Sequence, residues 1–253
     1  LQNPHGILFD PESVCESLTA YADDRQYSGS DLFELNEVWH SWKHHSRFSN
    51  TDPDAALQAI NRSVHQAHDF LQQATCVIIT LGSSFTYRLT ETASKASLQA
   101  GEGVANCHRA PAQWFSKEMH TTEAIFRMLQ RTTDRLLQFN PGLRFIFTVS
   151  PVRHIRDGVV ANNRSKARLI EAVHQLIESG KRFHYFPAYE LVVDVLRDYR
   201  FYDIDLVHPN FAATSYVMEQ FTGTCMDAPT RALMEEVRKI VTARKHRAFQ
   251  AET

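Results

Sequence analysis

Asp205 and His208 stand three residues apart in the stretch Tyr199–Asn210, YRFYDIDLVHPN, and Pro209 follows at once. An Asp-x-x-His pair in a loop that feeds a helix lets a carboxylate orient an imidazole, whose other nitrogen can then deprotonate a nucleophile. Asp203, two residues earlier, is a rival orienter. Taken alone the string is weak, because Asp often opens a turn and His often sits exposed. Its place late in the chain, after the last expected strand and just before a helix, strengthens it. The arrangement is that of an esterase lacking its serine.

A second station is TLGSSFTYR, Thr80–Arg88. A glycine at a strand end allows a sharp turn, and the freed amides of Gly82 and Ser83 could stabilise an oxyanion, each donor by about 3 kcal/mol. The plain alternative is an ordinary strand-to-loop turn. Ser83 or Ser84 as nucleophile would lack the Gly-x-Ser-x-Gly elbow, since Phe85 occupies the place of the second glycine. Arg88, Arg153 and His154 follow expected strand ends, where they either meet a polar or anionic substrate group or serve as salt-bridged loop residues. Ser28–Asn50 is rich in Trp, His and Phe without clear period, as expected of a site wall. Within it Trp39 and Trp42 could stack on a sugar ring, although large aromatics more often belong to a core. His40 and His44 are spaced to share a helix face. A metal would need a third ligand that is not apparent, so a substrate-lining or packing role is expected. Cys107 and His108 are adjacent, and neighbours in an extended segment point to opposite faces, which argues against a dyad between them and leaves His108 as a candidate to line the site.

The elements that must position these residues alternate. Pro11 starts a helix through Tyr21, and Pro53–Gln73 carries Leu57, Ile60, Val64, Ala67 and Leu71 at helical spacing. Thr75–Leu81 is a short apolar β-branched run, the type of strand buried on both faces. A polar excursion from Thr90 to Gly103 precedes a helix over Thr121–Phe139, then a strand at Arg144–Val149, a helix at Asn162–Ser179 and a strand at Arg182–Phe186. Helices at Tyr189–Leu196, Asn210–Phe221 and Thr230–Phe249 follow, the last ending in Arg244, Lys245, His246 and Arg247. Strands alternating with helices predict a mostly parallel sheet covered on both faces, with sites at the strands' carboxyl ends.

With 253 residues, 43% of them hydrophobic, the chain can bury a substantial core as one α/β domain. A net charge of −2 offers no overall attraction to nucleic acid or anionic membrane. No apolar run is long enough to span a bilayer and no signal pattern opens the chain, so a soluble protein, cytoplasmic by default, is expected. Four scattered cysteines imply neither a zinc site nor a disulfide scaffold. No motif calls for a nucleotide, flavin or nicotinamide cofactor.

Several blocks carry a resemblance: NPHGILFDP at Asn3–Pro11, EVWHSWKHHSRFS at Glu37–Ser49, TLGSSFTYR, VANCHR at Val104–Arg109, FTVSPVRHIRDG at Phe147–Gly158, NNRSKARLI at Asn162–Ile170, and Tyr185–Asn210. In this order, over Asn3–Phe221, they resemble the GSCFA family, which is similar to the SGNH, or GDSL-like, hydrolases. The resemblance implies a flavodoxin-like three-layer α/β/α sandwich over residues 1–222, with a helical extension at 223–253. It also implies a serine-dependent ester hydrolase or O-acyltransferase, with His208 as general base and Asp205 as its orienter. The nucleophile would be the serine of a Gly-Ser-Cys-Phe-Ala block. That block is absent here and is expected upstream of Leu1, in a chain that begins within a longer polypeptide. The Gly-x-x-Asn oxyanion pattern of SGNH enzymes is Gly82-Ser83-Ser84-Phe85 here, so Asn106 joins Gly82 and Ser83 as an oxyanion candidate. An acetyl ester on carbohydrate is the substrate by analogy. The alternative is a binding or structural protein on the same fold.

Overall fold

The structure is a computed structural model and describes residues 1–93 and 99–245. It divides into two compact units, Leu1–Tyr189 and Glu190–Thr253.

In the first unit, Asp10 caps α1 (Pro11–Ala22) by accepting the Ser13 N–H, with Pro11 in the first turn where no donor is lost. The stretch expected to be a loop contains a hairpin, β1 (Phe33–Leu35) and β2 (Val38–His40). Asp52 caps α2 (Pro53–Gln73), which buries Ala56, Ile60, Val64, Ala67 and Leu71 as the spacing predicts. Next come β3 (Cys76–Leu81), β4 (Phe85–Leu89), β5 (Gly103–Val104), β6 (Phe115–Met119), α3 (Thr122–Phe139) and β7 (Arg144–Val149). The unit closes with α4 (Val159–Glu178) and β8 (Phe183–Tyr185).

The central sheet is parallel in the order β3-β7-β8, consistent with a three-layer α/β fold. In the middle strand, Phe145, Phe147 and Val149 are fully buried, and they join α1, α2, α3 and α4 in one apolar core. A second sheet, antiparallel in the order β5-β4-β6, was not foreseen. Only three residues separate Leu81 from β4, so the turn at Gly82 joins two sheets rather than opening a long loop. One expectation is corrected: β3 is not buried on both faces. It is an edge strand, and Cys76, Ile78 and Thr80 face outward, Ile78 at 54% exposure.

The second unit continues from α5 (Ala188–Glu190) with a π-helical turn at Leu191–Leu196, then α6 (Phe211–Cys225) and α7 (Ala228–Lys245). The division expected at 222/223 falls inside α6. The expected apolar stripe of α7, Leu233, Val237, Ile240 and Val241, is exposed. His246, Arg247 and the expected end of that helix lie outside the described residues, as does the centre of the Thr90–Gly103 excursion. Among the described residues no helix is long and apolar enough to cross a membrane.

Candidate functional site

In the second unit the loop 202–210 is tied at both ends. Tyr202 and Pro209 form an antiparallel bridge, and the Asp203 N–H donates to the His208 carbonyl. Asn210 caps α6 through the Ala213 N–H and donates its own amide to the Arg200 and Tyr202 carbonyls. Leu206, at φ +56, turns the chain back within the loop. Asp205 Oδ1 therefore accepts the Val207 and His208 N–H groups at 2.8 and 3.0 Å, while Oδ2 lies 2.6 Å from His208 Nδ1. Asp205, not Asp203, orients the imidazole. The hydrogen bond from His208, followed by the two backbone donors, pulls the Asp205 carboxyl down to about 2. With Nδ1 held, Nε2 of a half-exposed ring has no partner among the described residues. A ring held in this way has one nitrogen open to accept a proton.

In the first unit the strand end is the ordinary strand-to-loop turn that stood as the alternative to an oxyanion hole. The amides of Gly82 and Ser83 both donate to the Phe9 carbonyl, at 2.8 and 3.1 Å. The next two are also taken, Ser84 N–H by Ser165 Oγ and Phe85 N–H by Ser83 Oγ. Gly82 and Ser83 are thus corrected as oxyanion donors, because the turn consumes its own amides. Ser83 and Ser84 are 4% and 0% exposed, which removes them as nucleophiles in this arrangement. Asn106 is half-buried and its side-chain oxygen accepts the His108 N–H.

Three buried polar residues of α4 reach these loops, and the sequence reading passed over them. Asn162 accepts the His154 N–H, Ser165 holds the Ser84 N–H, and Lys166 Nζ donates to the Gly82 and Ser150 carbonyls at 2.5 and 2.6 Å. A signal was present: 162, 165 and 166 continue, one turn after another, the buried stripe Leu169, Ala172, Val173 and Leu176. Polar residues on a core-facing stripe mark something to be satisfied inside. His154 packs edge-on against Phe9, and burial, then the Lys166 ammonium, keep its pKa below the ordinary value. Arg153 is half-buried beside it.

The remaining expectations for side chains lining a site are largely revised. Arg88 is not free for substrate: its guanidinium forks onto Glu12 and its Nε donates to Glu118 at 2.5 Å. His40 and His44 share no helix; one ends β2 and the other sits in a turn. His44 is 1% exposed, stacked on His5 at 4.0 Å and bonded through Nδ1 to Ser41 Oγ, so it is core rather than lining. His40 bonds Ser49 Oγ, and His108 Nε2 donates to the Ser41 carbonyl. Trp39 packs half-buried on the main core, and Trp42 is buried against Phe33. Two large aromatics were therefore better explained by packing than by sugar stacking. Burial pushes the Cys107 thiol up to about 11, against a thiolate nucleophile.

The peg that holds the N-terminal segment is His5, whose N–H donates to the Tyr21 hydroxyl while its carbonyl accepts the His45 N–H. Gly6 follows at φ +90, and a Cβ there would lie 2.1 Å from His45 Cβ. Gly6→Ala is expected to destabilise the protein by about 1–3 kcal/mol, from overpacking and a left-handed backbone together. A chemical denaturation midpoint equal to wild type would contradict this. The segment walls a groove of 740 Å³ along the open edge of β3, lined by Leu1, Ile7, Phe9, Phe70, Ile78 and Ser150 among others.

A parallel sheet with packed helices, followed late in the chain by a carboxylate-oriented imidazole, defines an α/β protein of the three-layer type. Residues 1–221 match the model of the GSCFA family, and the chain belongs to that family. No curated protein and no solved structure matches it.

Proposed function

We propose that the protein is a serine-dependent ester hydrolase or O-acyltransferase. His208 is the general base, Asp205 its orienter, and the nucleophile a serine in chain preceding Leu1. The observation that carries this reading is the 2.6 Å Asp205–His208 pair with Nε2 left unpartnered among the described residues. In the reaction, His208 Nε2 takes the serine proton as Oγ attacks the ester carbonyl. The tetrahedral intermediate then expels the alcohol, which leaves with that proton. Water or a second hydroxyl, a sugar hydroxyl for example, next attacks the acyl-enzyme and gives hydrolysis or transfer.

Two further observations support the reading. The chain belongs to the GSCFA family. The free edge of β3, with Ile78 exposed beside the groove, offers backbone and apolar partners to an extended segment entering ahead of Leu1. The oxyanion donors in this reading come from outside the Gly82–Phe85 turn, whose amides are occupied. That occupation, with Ser83 and Ser84 buried, favours the second reading, a binding protein on the same fold.

Intact mass and N-terminal sequence of the native protein, followed by a fluorophosphonate serine probe, separate the two. The enzyme reading expects an upstream Gly-Ser and labelling of that serine. A native chain that starts at Leu1 and takes no label leaves the binding protein.

A further inference from the structure

Within the first unit, the segment Leu1–Phe9 walls the groove along the open edge of β3. It is held largely through its backbone. Arg47 donates to the Asn3 and Pro4 carbonyls, the Ser63 hydroxyl donates to the Pro4 carbonyl, and the Phe9 carbonyl takes the Gly82 and Ser83 amides. Among its side chains, all of them described, only that of His5 is fully buried, at 2% exposure, whereas Ile7 and Phe9 are each 53% exposed. A segment rich in apolar residues is thus pegged by the one residue type whose charge ordinarily changes between pH 5 and 8.

The socket around the peg suits a neutral ring only. His5 stacks on His44 at 4.0 Å, its Nε2 lies 3.3 Å from the Tyr27 hydroxyl, and Tyr21 meets it edge-on from α1. His5 Nδ1 and His44 Nε2 have no hydrogen-bond partner among the described residues, and no carboxylate there pairs with either ring. The charged groups that act on the pair are cations: Arg25 and Arg47 on His5, Arg25 and His108 on His44. Asp31 and Glu16, which act on Tyr27, are held by Arg25 and Lys43. A second proton on either stacked ring therefore meets burial, a neighbouring imidazole and fixed positive charge, and no acceptor.

We propose that His5 is an acid-released latch: when His5 and His44 take up protons, the rings part and the strap Leu1–Phe9 leaves the edge of β3, opening the groove. The device is independent of the acyl-transfer chemistry. A latched His5 stays neutral down to about pH 3, while a ring released into water charges below about 6.5. Release thus takes up a proton throughout that interval, and the closed strap is favoured above it. His44, uncovered by the same movement, can add a second proton.

Amide exchange of the native protein at pH 7, 6 and 5, corrected for the intrinsic pH dependence, tests this on the His5, Gly6 and His45 amides, with Phe145–Val149 as the core reference. Protection of the strap is expected to fall about 25-fold from pH 7 to pH 5 through His5 alone, and further where His44 follows, while the core changes much less. His5→Phe, which keeps a ring on His44, and His5→Gln, which keeps a polar group near Tyr27, should both flatten that dependence. Strap and core losing protection in step overturns the proposal, since the histidines then report global unfolding. So does a strap whose protection is level from pH 7 to pH 5 or already absent at pH 7, and so does either variant with the wild-type slope. If neither variant keeps Phe145–Val149 protected at pH 7, the wild-type contrast between strap and core decides alone.

Discussion

His208→Ala in the native protein is expected to lower the rate of serine acylation by about 10⁴- to 10⁶-fold, the range seen when a triad base is removed. The size follows from the geometry. Asp205 Oδ2 holds Nδ1 at 2.6 Å, and two backbone N–H groups hold the carboxylate, so the ring has one orientation and one free nitrogen. Asp205→Asn keeps the shape of the loop but offers an amide in place of the charge, and a loss of about 10⁴ is expected from the misassigned tautomer. Because the Asp205 carboxyl titrates near 2, its protonation contributes nothing to the pH dependence above pH 4. Labelling of His208→Ala at the wild-type rate would remove the pair from the mechanism. Both side chains are about half exposed, so neither substitution should move the thermal midpoint by more than a degree or so.

The second large effect is on stability in acid. His5 and His44 are 2% and 1% exposed, stacked on one another beneath Tyr21, Tyr27 and Phe48, with Arg25 and Arg47 nearby. Burial is the main cause that brings His5 to about 3, His108 to about 4, and His44 well below its ordinary value. His5 Nδ1, His44 Nε2 and His108 Nδ1 have no hydrogen-bond partner among the described residues, so no acceptor stands ready to receive a proton there. The sign follows by linkage. The unfolded chain binds protons below about 6.5, whereas the folded chain does not until pH 3–4. Stability is fully present above 6.5 and falls as pH drops toward 4, by roughly 1.4 kcal/mol per group per pH unit. Two such groups remove several kcal/mol by pH 4, a large part of a total stability of about 5–15 kcal/mol. The interval from 6.5 to about 5.5 is diagnostic, since ordinary carboxylates are still almost fully charged there. A thermal midpoint that stays level from pH 7 to 5 would count against neutral buried histidines. In the double variant His5→Phe, His44→Phe the slope over that interval should be much reduced.

These two effects differ in how far they could be read from residues alone. The Asp205–His208 pair is local: three residues, a turn and a helix cap suffice to bring carboxylate and imidazole together, so spacing announced it. The capped helix α2, the apolar strands β3 and β7 and the late loop were legible for the same reason, because periodicity and capping act over a few residues. The acid-sensitive cluster was not. His5, His44 and His108 lie far apart in sequence, and their type fits a surface as well as a core.

What the sequence by itself determined is the main helices, the parallel strands of an α/β fold and the Asp-x-x-His pair, but not the β1–β2 hairpin or the antiparallel sheet. Only the tertiary structure decided which polar groups remain available. It gave the Gly82 and Ser83 amides to a carbonyl of Phe9, and Arg88 to Glu12, 76 residues away in sequence. It turned Lys166 onto Gly82, 84 residues away, and left one face of β3 open. The physical reason is that a backbone amide or a charged side chain bonds whichever partner packing brings within about 3 Å, and packing depends on which faces meet across the core. Local spacing therefore predicts which groups could act, while burial and long-range pairing decide which of them are free to do so.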